Sequence, residues 1–192
     1  MTLKRSFDIF VSLLFVCTLF PLCYLLIGLV IKCTSKGPVL FGQRRSGLND
    51  KTFICLKFRT MVVNDEADIR QATENDKRIT CIGHFLRRTS LDELPQFLNV
   101  LKGDMSIIGP RPHMLCQTRT YGIRIPGYMR RLSVRPGITG LAQVLGYRGE
   151  IRTDADMARR LRLDLWYIDH WSFRLDMLIF FRTLSYLFSV GR

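Results

Sequence analysis

Two adjacent carboxylates, Asp92 and Glu93, lie within Ser90-Leu91-Asp92-Glu93-Leu94-Pro95. Ser90 and Glu93 have the S-x-x-E spacing of a capping box ahead of an apolar run. Leu94, Phe97, Leu98 and Leu101 recur three or four apart, so they are expected to form the buried face of a helix. Asp92, Gln96 and Asn99 then share the opposite stripe. Acidic residues in a first turn stabilise the helix dipole by about 0.3–1 kcal/mol, and for a generic helix that role is explanation enough. Pro95 argues for more. Counted from a Ser90 cap it falls one position beyond the free first-turn amides, where it removes a bond to the Leu91 carbonyl. A local rule broken beside two carboxylates is a mark of a functional site. A carboxylate at a helix N-terminus stays ionised and can act as a nucleophile. Its neighbour can hold a divalent cation against a phosphate.

Arginines flanked by proline supply the complementary charge. In Gly109-Pro110-Arg111-Pro112 the prolines restrict the backbone on both sides of Arg111, presenting a planar fork of donors suited to phosphate. Arg135-Pro136-Gly137-Ile138-Thr139-Gly140 repeats the device with glycines that permit close backbone approach. With Lys57-Phe58-Arg59-Thr60 and Arg87-Arg88, these loops point to an anion pocket drawn from Lys57, Arg59, Arg88, Arg111 and Arg135. The competing reading is a set of rigid turns with solvated arginines. The glycines match neither a dinucleotide-binding fingerprint nor a P-loop. His84, His113 and His170 are isolated and are expected at the surface or in packing.

Lys plus Arg number 29 against 16 Asp plus Glu, a formal charge of +13. That imbalance calls for an anionic partner: nucleic acid, lipid headgroups or a phosphorylated small molecule. No nucleic-acid-binding motif accompanies the charge, so nucleic acid is set aside. The six cysteines lack zinc-ligand spacing and read as free thiols of a reducing compartment, which places the soluble part in the cytoplasm.

The elements that must position these groups begin with an apolar run. Residues 9–31 carry no charge, a stretch roughly 35 Å long as a helix. The run is too long for a signal peptide and lacks a small-residue cleavage site. Pro21 near its middle should break or kink the helix. Basic residues flank both ends: Lys4 and Arg5, then Lys32, Lys36, Arg44 and Arg45. A hairpin re-entering on the cytoplasmic face keeps both clusters inside, as the positive-inside tendency favours. Residues 39–43 and 52–58 read as a strand hairpin, 62–73 as an exposed polar helix and 83–101 as the helix carrying Asp92. Residues 103–112 and 135–149 read as loops and 154–167 as an amphipathic helix. The segment 172–190 is apolar but cut by Arg174, Asp176 and Arg182, so it lies on a membrane or packs in a core. Trp166, Tyr167 and Trp171 just before it suit either an interfacial belt or core packing.

These residues together resemble the monotopic phosphoglycosyl transferases, or bacterial sugar transferases, over nearly the whole chain. The resemblance rests on Lys4-Arg5 with Asp8, the proline-broken apolar segment and Gly37-Pro38-Val39. It continues through Gln43-Arg44-Arg45-x-Gly47, Lys57-Phe58-Arg59-Thr60-Met61, Leu91-Asp92-Glu93-Leu94-Pro95-Gln96 and Asn99-Val100-Leu101-Lys102-Gly103-Asp104-Met105-Ser106. The two arginine–proline loops and Asp164 with Tyr167 complete it. It implies that Asp92 is the nucleophile toward the sugar-bearing phosphate of a UDP-sugar, with UMP leaving. Polyprenyl phosphate then takes the phosphosugar. It further implies that Glu93 assists beside Mg²⁺, held by Asp92 and Glu93, and that Arg111, with Lys57 and Asp164, contacts substrate. Pro21 becomes the hinge of the membrane anchor, and the bacterial inner membrane the site of action, with the catalytic domain on its cytoplasmic face.

Many members have serine before that proline, where this chain has Phe20; Thr18 or Ser12 is the candidate substitute. The chain resembles the catalytic domain of longer members with extra N-terminal spans. Gln143 to Glu150 resembles the glucose- or galactose-phosphate-transferring branch. The fold expected is α+β and mostly helical. Residues 1–36 form a re-entrant membrane hairpin and residues 37–192 a small catalytic domain with interfacial amphipathic helices. The competing class is a non-enzymatic membrane-associated scaffold, in which Asp92 and Glu93 only cap a helix and the basic loops hold lipid headgroups.

Overall fold

The computed structural model describes residues 2–63, 71, 73 and 76–189. Helix α1 (Thr2–Thr34) runs as one helix with Pro21 inside it. Pro21 cannot donate to the Cys17 carbonyl. The Thr18 hydroxyl donates instead to Leu14 O at 2.6 Å, and the Ser12 hydroxyl is buried without a partner, so neither replaces the missing bond. Leu13, Leu14, Leu22, Leu25 and Leu29 each stay more than half exposed. Over Leu3–Thr34 the helix is long and apolar enough to cross a membrane.

Both ends of α1 are tied to the rest of the chain. Near its start, Lys4 donates to Ile108 O at 2.9 Å and pairs with Asp176 at 2.7 Å, while Asp8 accepts from Ile107 N at 3.0 Å. At its end, the Arg59 guanidinium donates to Ser35 Oγ and to the carbonyls of Ser35, Lys36 and Pro38 at 2.6–2.9 Å.

Strands β1 (Leu40–Ser46) and β2 (Thr52–Phe58) pair antiparallel, Leu40 opposite Phe58 and Ser46 opposite Thr52. β1 runs three residues past its expected end because Arg45 has an internal partner, the Pro112 carbonyl at 2.7 Å. The expected helix over 62–73 falls largely outside the described residues. The single helix expected over 83–101 is instead α2 (Cys81–Thr89), a tight turn at Leu91–Glu93 and α3 (Gln96–Lys102). β3 (Ser106–Ile108) follows, then α4 (Leu115–Arg124), β4 (Gly137–Thr139) and the short α5 (Leu141–Val144). α6 (Asp154–Asp169) starts on a capping box: Thr153 Oγ1 accepts from Asp156 N, and Asp156 accepts from Thr153 N. α7 (Phe173–Ser189) ends the description.

The two segments expected as loops contain the second sheet. β3 and β4 pair in parallel, so the two arginine–proline loops are hydrogen-bonded to one another: Ser106 N to Pro136 O, Gly109 N to Thr139 O and Gly137 N to Pro110 O, all at 2.9 Å. A side chain on Gly137 would sit 2.1 Å from Gly109 N. The glycines therefore serve contact between loops.

The main core joins Phe53 and Cys55 of β2, Val100, Ile107, Ile108, Tyr167 and Ile179, with Phe7 and Val11 of α1 against it. A second gathers Ile31, Phe58 and Leu86 with Phe20, Ile27 and Leu94. A third, Tyr128, Ile151, Met157 and Leu161, lies under α6. Tyr167 is core, its hydroxyl donating to Asp176 at 2.7 Å, whereas Trp166 is exposed and stacks on His170.

Candidate active site

Ser90 takes φ 59°, a left-handed conformation that stops α2. The next three residues form a tight turn in which Leu94 N donates to Leu91 O at 3.3 Å. The Leu91 carbonyl is thus satisfied despite Pro95, which leads into α3 where its missing N–H is not needed. The capping box expected between Ser90 and Glu93 is not formed, because Ser90 ends one helix instead of starting the next. The buried stripe is inverted as well. Asp92, Gln96 and Asn99 are buried, while Leu94, Phe97, Leu98 and Leu101 are half-buried. Asn99 explains this: its side chain completes the β2 backbone, accepting from Leu56 N at 2.9 Å and donating to Ile54 O at 2.7 Å. The apolar side meets α1 instead, with Phe97 on Phe15 at 4.4 Å between ring centres.

This turn delivers both carboxylates to the wall of a cleft of about 1250 Å³. Glu93 is clamped by Arg111, Nη1 to Oε2 at 3.1 Å and Nη2 to Oε1 at 2.5 Å, and by Lys57 Nζ at 2.6 Å. Asp92 is 6% exposed; its nearest cation is Lys57, at 3.7 Å, and it makes no hydrogen bond among the described residues. The electrostatics follow. Burial raises Asp92 above its ordinary 3.8, with Glu93 adding to the rise while Lys57 opposes it. Burial acts on Glu93 in the same direction, but Arg111 and Lys57 outweigh it and hold Glu93 well below the usual carboxylate range. One carboxylate is hydrogen-bonded to two cations; its neighbour has only the longer ion pair with Lys57.

The Arg111 backbone is held more firmly than two prolines explain. Four consecutive carbonyls each accept from a separate donor: Pro110 from Gly137 N at 2.9 Å, Arg111 from Arg131 Nη2 at 2.8 Å, Pro112 from Arg45 Nη1 at 2.7 Å and His113 from Ser46 N at 3.1 Å. Arg131 is itself fixed by Asp164, through bonds of 2.8 and 3.1 Å.

Of the residues expected to form the pocket, Lys57, Arg59, Arg88, Asp92, Glu93 and Arg111 line the cleft. Arg59 lines it with its guanidinium turned to the end of α1. Arg88 is exposed there. Arg135 and Asp164 do not line it. Arg135 Nε donates to Gly103 O at 2.9 Å at the C-terminal end of α3, because the pairing of β3 with β4 turns it away from the carboxylates. Asp164 is 3% exposed and reaches Arg111 only through Arg131. Arg131 and Arg160 were not singled out from the sequence, and Arg45 was read only as a basic flank of the apolar run and as part of a family motif. One signal existed: the inward stripe of α6, Met157, Arg160, Leu161 and Asp164, carries two charges where apolar residues belong.

Mg²⁺ ordinarily binds through one or two carboxylates together with substrate phosphates. Asp92 fits that habit, since it makes no hydrogen bond among the described residues, whereas both oxygens of Glu93 are engaged by Arg111 and Lys57.

A carboxylate clamped by two cations thus stands beside a second, buried carboxylate in the cleft of a small, mostly helical chain with an apolar N-terminal helix. The chain belongs to the bacterial sugar transferase family, which it matches over residues 1–190. It is 50% identical over 185 residues to a UDP-glucose:undecaprenyl-phosphate glucose-1-phosphate transferase of Klebsiella pneumoniae, covering 96% of this chain and 40% of that protein. Over 189 residues it is 46% identical to an exopolysaccharide production protein of Rhizobium leguminosarum bv. phaseoli, covering 96% of this chain and 94% of the relative. Over 198 residues it is 39% identical to an undecaprenyl-phosphate galactose phosphotransferase of Salmonella typhimurium, covering 94% of this chain and 39% of that protein. The chain thus spans about two fifths of the Klebsiella and Salmonella relatives.

Proposed function

We propose that this chain transfers a sugar 1-phosphate from a UDP-sugar to a polyprenyl phosphate, and that the sugar is glucose. The observation that carries the reading is Asp92: buried at the cleft wall, free of hydrogen bonds, beside a carboxylate already neutralised by two cations. The choice of glucose follows the Klebsiella relative at 50% identity over the galactose-named one at 39%.

In the first step an Asp92 carboxylate oxygen attacks the phosphorus bearing the sugar. The bond from that phosphorus to the bridging oxygen breaks, and UMP leaves with the electron pair. In the second step a polyprenyl phosphate oxygen attacks the same phosphorus, the bond to Asp92 breaks, and polyprenyl-diphospho-sugar departs. Glu93, ionised between Arg111 and Lys57, keeps both cations beside the reacting phosphate, whose charge they can share as it develops. Mg²⁺ held by Asp92 and Glu93 would neutralise the diphosphate. Burial of Asp92 removes water that would otherwise stabilise its charge, which makes the carboxylate more reactive once ionised.

Attachment of both ends of α1 to one globular body supports a re-entrant anchor, with Pro21 as its hinge, on the cytoplasmic face of the bacterial inner membrane. A lipid phosphate and a soluble nucleotide then meet on one side. The scaffold reading is weakened because Glu93 caps no helix.

The test is UMP release from UDP-glucose with Mg²⁺ and polyprenyl phosphate. Asp92→Asn should reduce it at least about 10⁴-fold while membrane association persists. Normal turnover in that variant would end the nucleophile assignment.

A further inference from the structure

Arg160 is a buried cation without a counter-ion. It is 7% exposed and lines the cleft. Its Nη2 donates to Gly149 O at 2.9 Å, but Nε is buried with no partner, and among the described residues no carboxylate pairs with it. Asp164, one helical turn on, is engaged by Arg131. Burial, then Arg111, pulls Arg160 down to about 10, against an opposing pull from Asp164. A charge left this way is costly unless a ligand completes it.

His113 lines the same cleft and is fully enclosed, with Nδ1 2.6 Å from the Tyr128 hydroxyl and Nε2 buried without a partner. The Arg131 guanidinium lies 5.4 Å over the Tyr128 ring. Where the Tyr128 hydroxyl donates to Nδ1, Nε2 of the neutral ring is the nitrogen that carries hydrogen. Burial and the surrounding arginines keep the ring neutral. An unpartnered guanidinium N–H, an unpartnered imidazole nitrogen and one positive charge with no ion pair among the described residues therefore border the cleft.

Among the described residues, the core at Arg160 includes no residue of α1. Arg160 sits on the α6 face that packs with Tyr128 and Ile151, a core to which α1 contributes no described residue; α1 borders the cleft at Phe58 and Leu94. A soluble anion suits this location better than a lipid headgroup. We infer that Arg160 and His113 extend the Lys57–Glu93–Arg111 cluster with an anion subsite that receives the phosphate of the departing nucleoside monophosphate. The inference rests on the transfer reaction proposed above, which supplies that leaving group.

The experiment uses the full chain with UMP, uridine and polyprenyl phosphate as probes, on wild type, Arg160→Gln and Arg160→Lys. Arg160→Gln should weaken UMP binding and product inhibition by roughly 10- to 100-fold. Uridine binding and the KM for polyprenyl phosphate should stay within about threefold. Arg160→Lys keeps the charge without the Nε donor and should fall between. The extra thermal stability conferred by UMP, read on each folded variant, separates binding from fold. Unchanged UMP affinity in either folded variant overturns the inference. So does a loss confined to polyprenyl phosphate, which would make the subsite one for the lipid phosphate. Wild type that binds UMP but releases none from UDP-glucose would overturn the transfer reaction, while the binding comparison still decides the subsite.

Discussion

Glu93–Arg111 and Asp164–Arg131 are the same chemical pair in two settings. The Asp164–Arg131 pair is closed: its side chains are 4% and 1% exposed, and the guanidinium is completed by the Arg111 carbonyl. The Glu93–Arg111 pair is open, 13% and 25% exposed, and shares its charge with Lys57 and, through it, Asp92. The closed pair holds the backbone from which the open pair reaches. A carboxylate paired with a guanidinium is thus sealed into the scaffold in one place and left open to the cleft in the other, the difference being access to the cleft and the presence of a third charge.

Three perturbations set the two pairs against each other. The largest effect on folding belongs to the closed pair. Arg131→Met leaves Asp164 buried and uncompensated, which should cost about 3–5 kcal/mol. At about 2–4 °C per kcal/mol for a domain of this size, Tm should fall by roughly 6–20 °C. Arg131→Met combined with Asp164→Leu should recover most of that loss. Thermal melting decides it, and an unaltered Tm in the single variant would remove the distinction.

The open pair should behave in the opposite way. Arg111→Ala is expected to lower kcat/KM for UMP release by about 10²–10³-fold. Lys57 remains to neutralise Glu93, so Tm should move far less than for Arg131→Met. A variant that melts early but turns over normally would place Arg111 with the scaffold.

The smallest effect sharpens the role of the third charge. Protonated Asp92 cannot attack phosphorus, so activity should fall as pH drops through its pKa, which burial sets above 3.8. Lys57 lowers that pKa, so Lys57→Gln should move the acid limb of the pH–rate profile to higher pH. A limb that stays in place would disconnect the rate from Asp92.

The chemistry was largely legible in the residues: adjacent carboxylates before a proline, an arginine between prolines, an unbroken apolar run. The assignments of individual cations were less so. Arg59, Arg111 and Arg135 look alike in sequence, yet Arg59 braces the end of α1, Arg111 grips Glu93 and Arg135 ties down the end of α3. The 83–101 segment misled for a definite reason. Leucine spacing marks an apolar stripe, but Asn99 finds unpaired backbone on β2, so the polar stripe turns inward and the leucines turn toward α1. Ser90, a good cap by type, adopts φ 59° and closes α2.

Local pattern alone determined the long apolar helix, the family motifs and the two neighbouring acids, because each depends on residues close together in the chain. Tertiary structure decided which acid is neutralised, which arginines face the cleft and which hold the Arg111 loop. Those outcomes depend on contacts among positions 45, 57, 93, 111, 131 and 164. Coulomb attraction and desolvation act over a few ångströms between elements far apart in sequence, and no spacing along the chain encodes such distances.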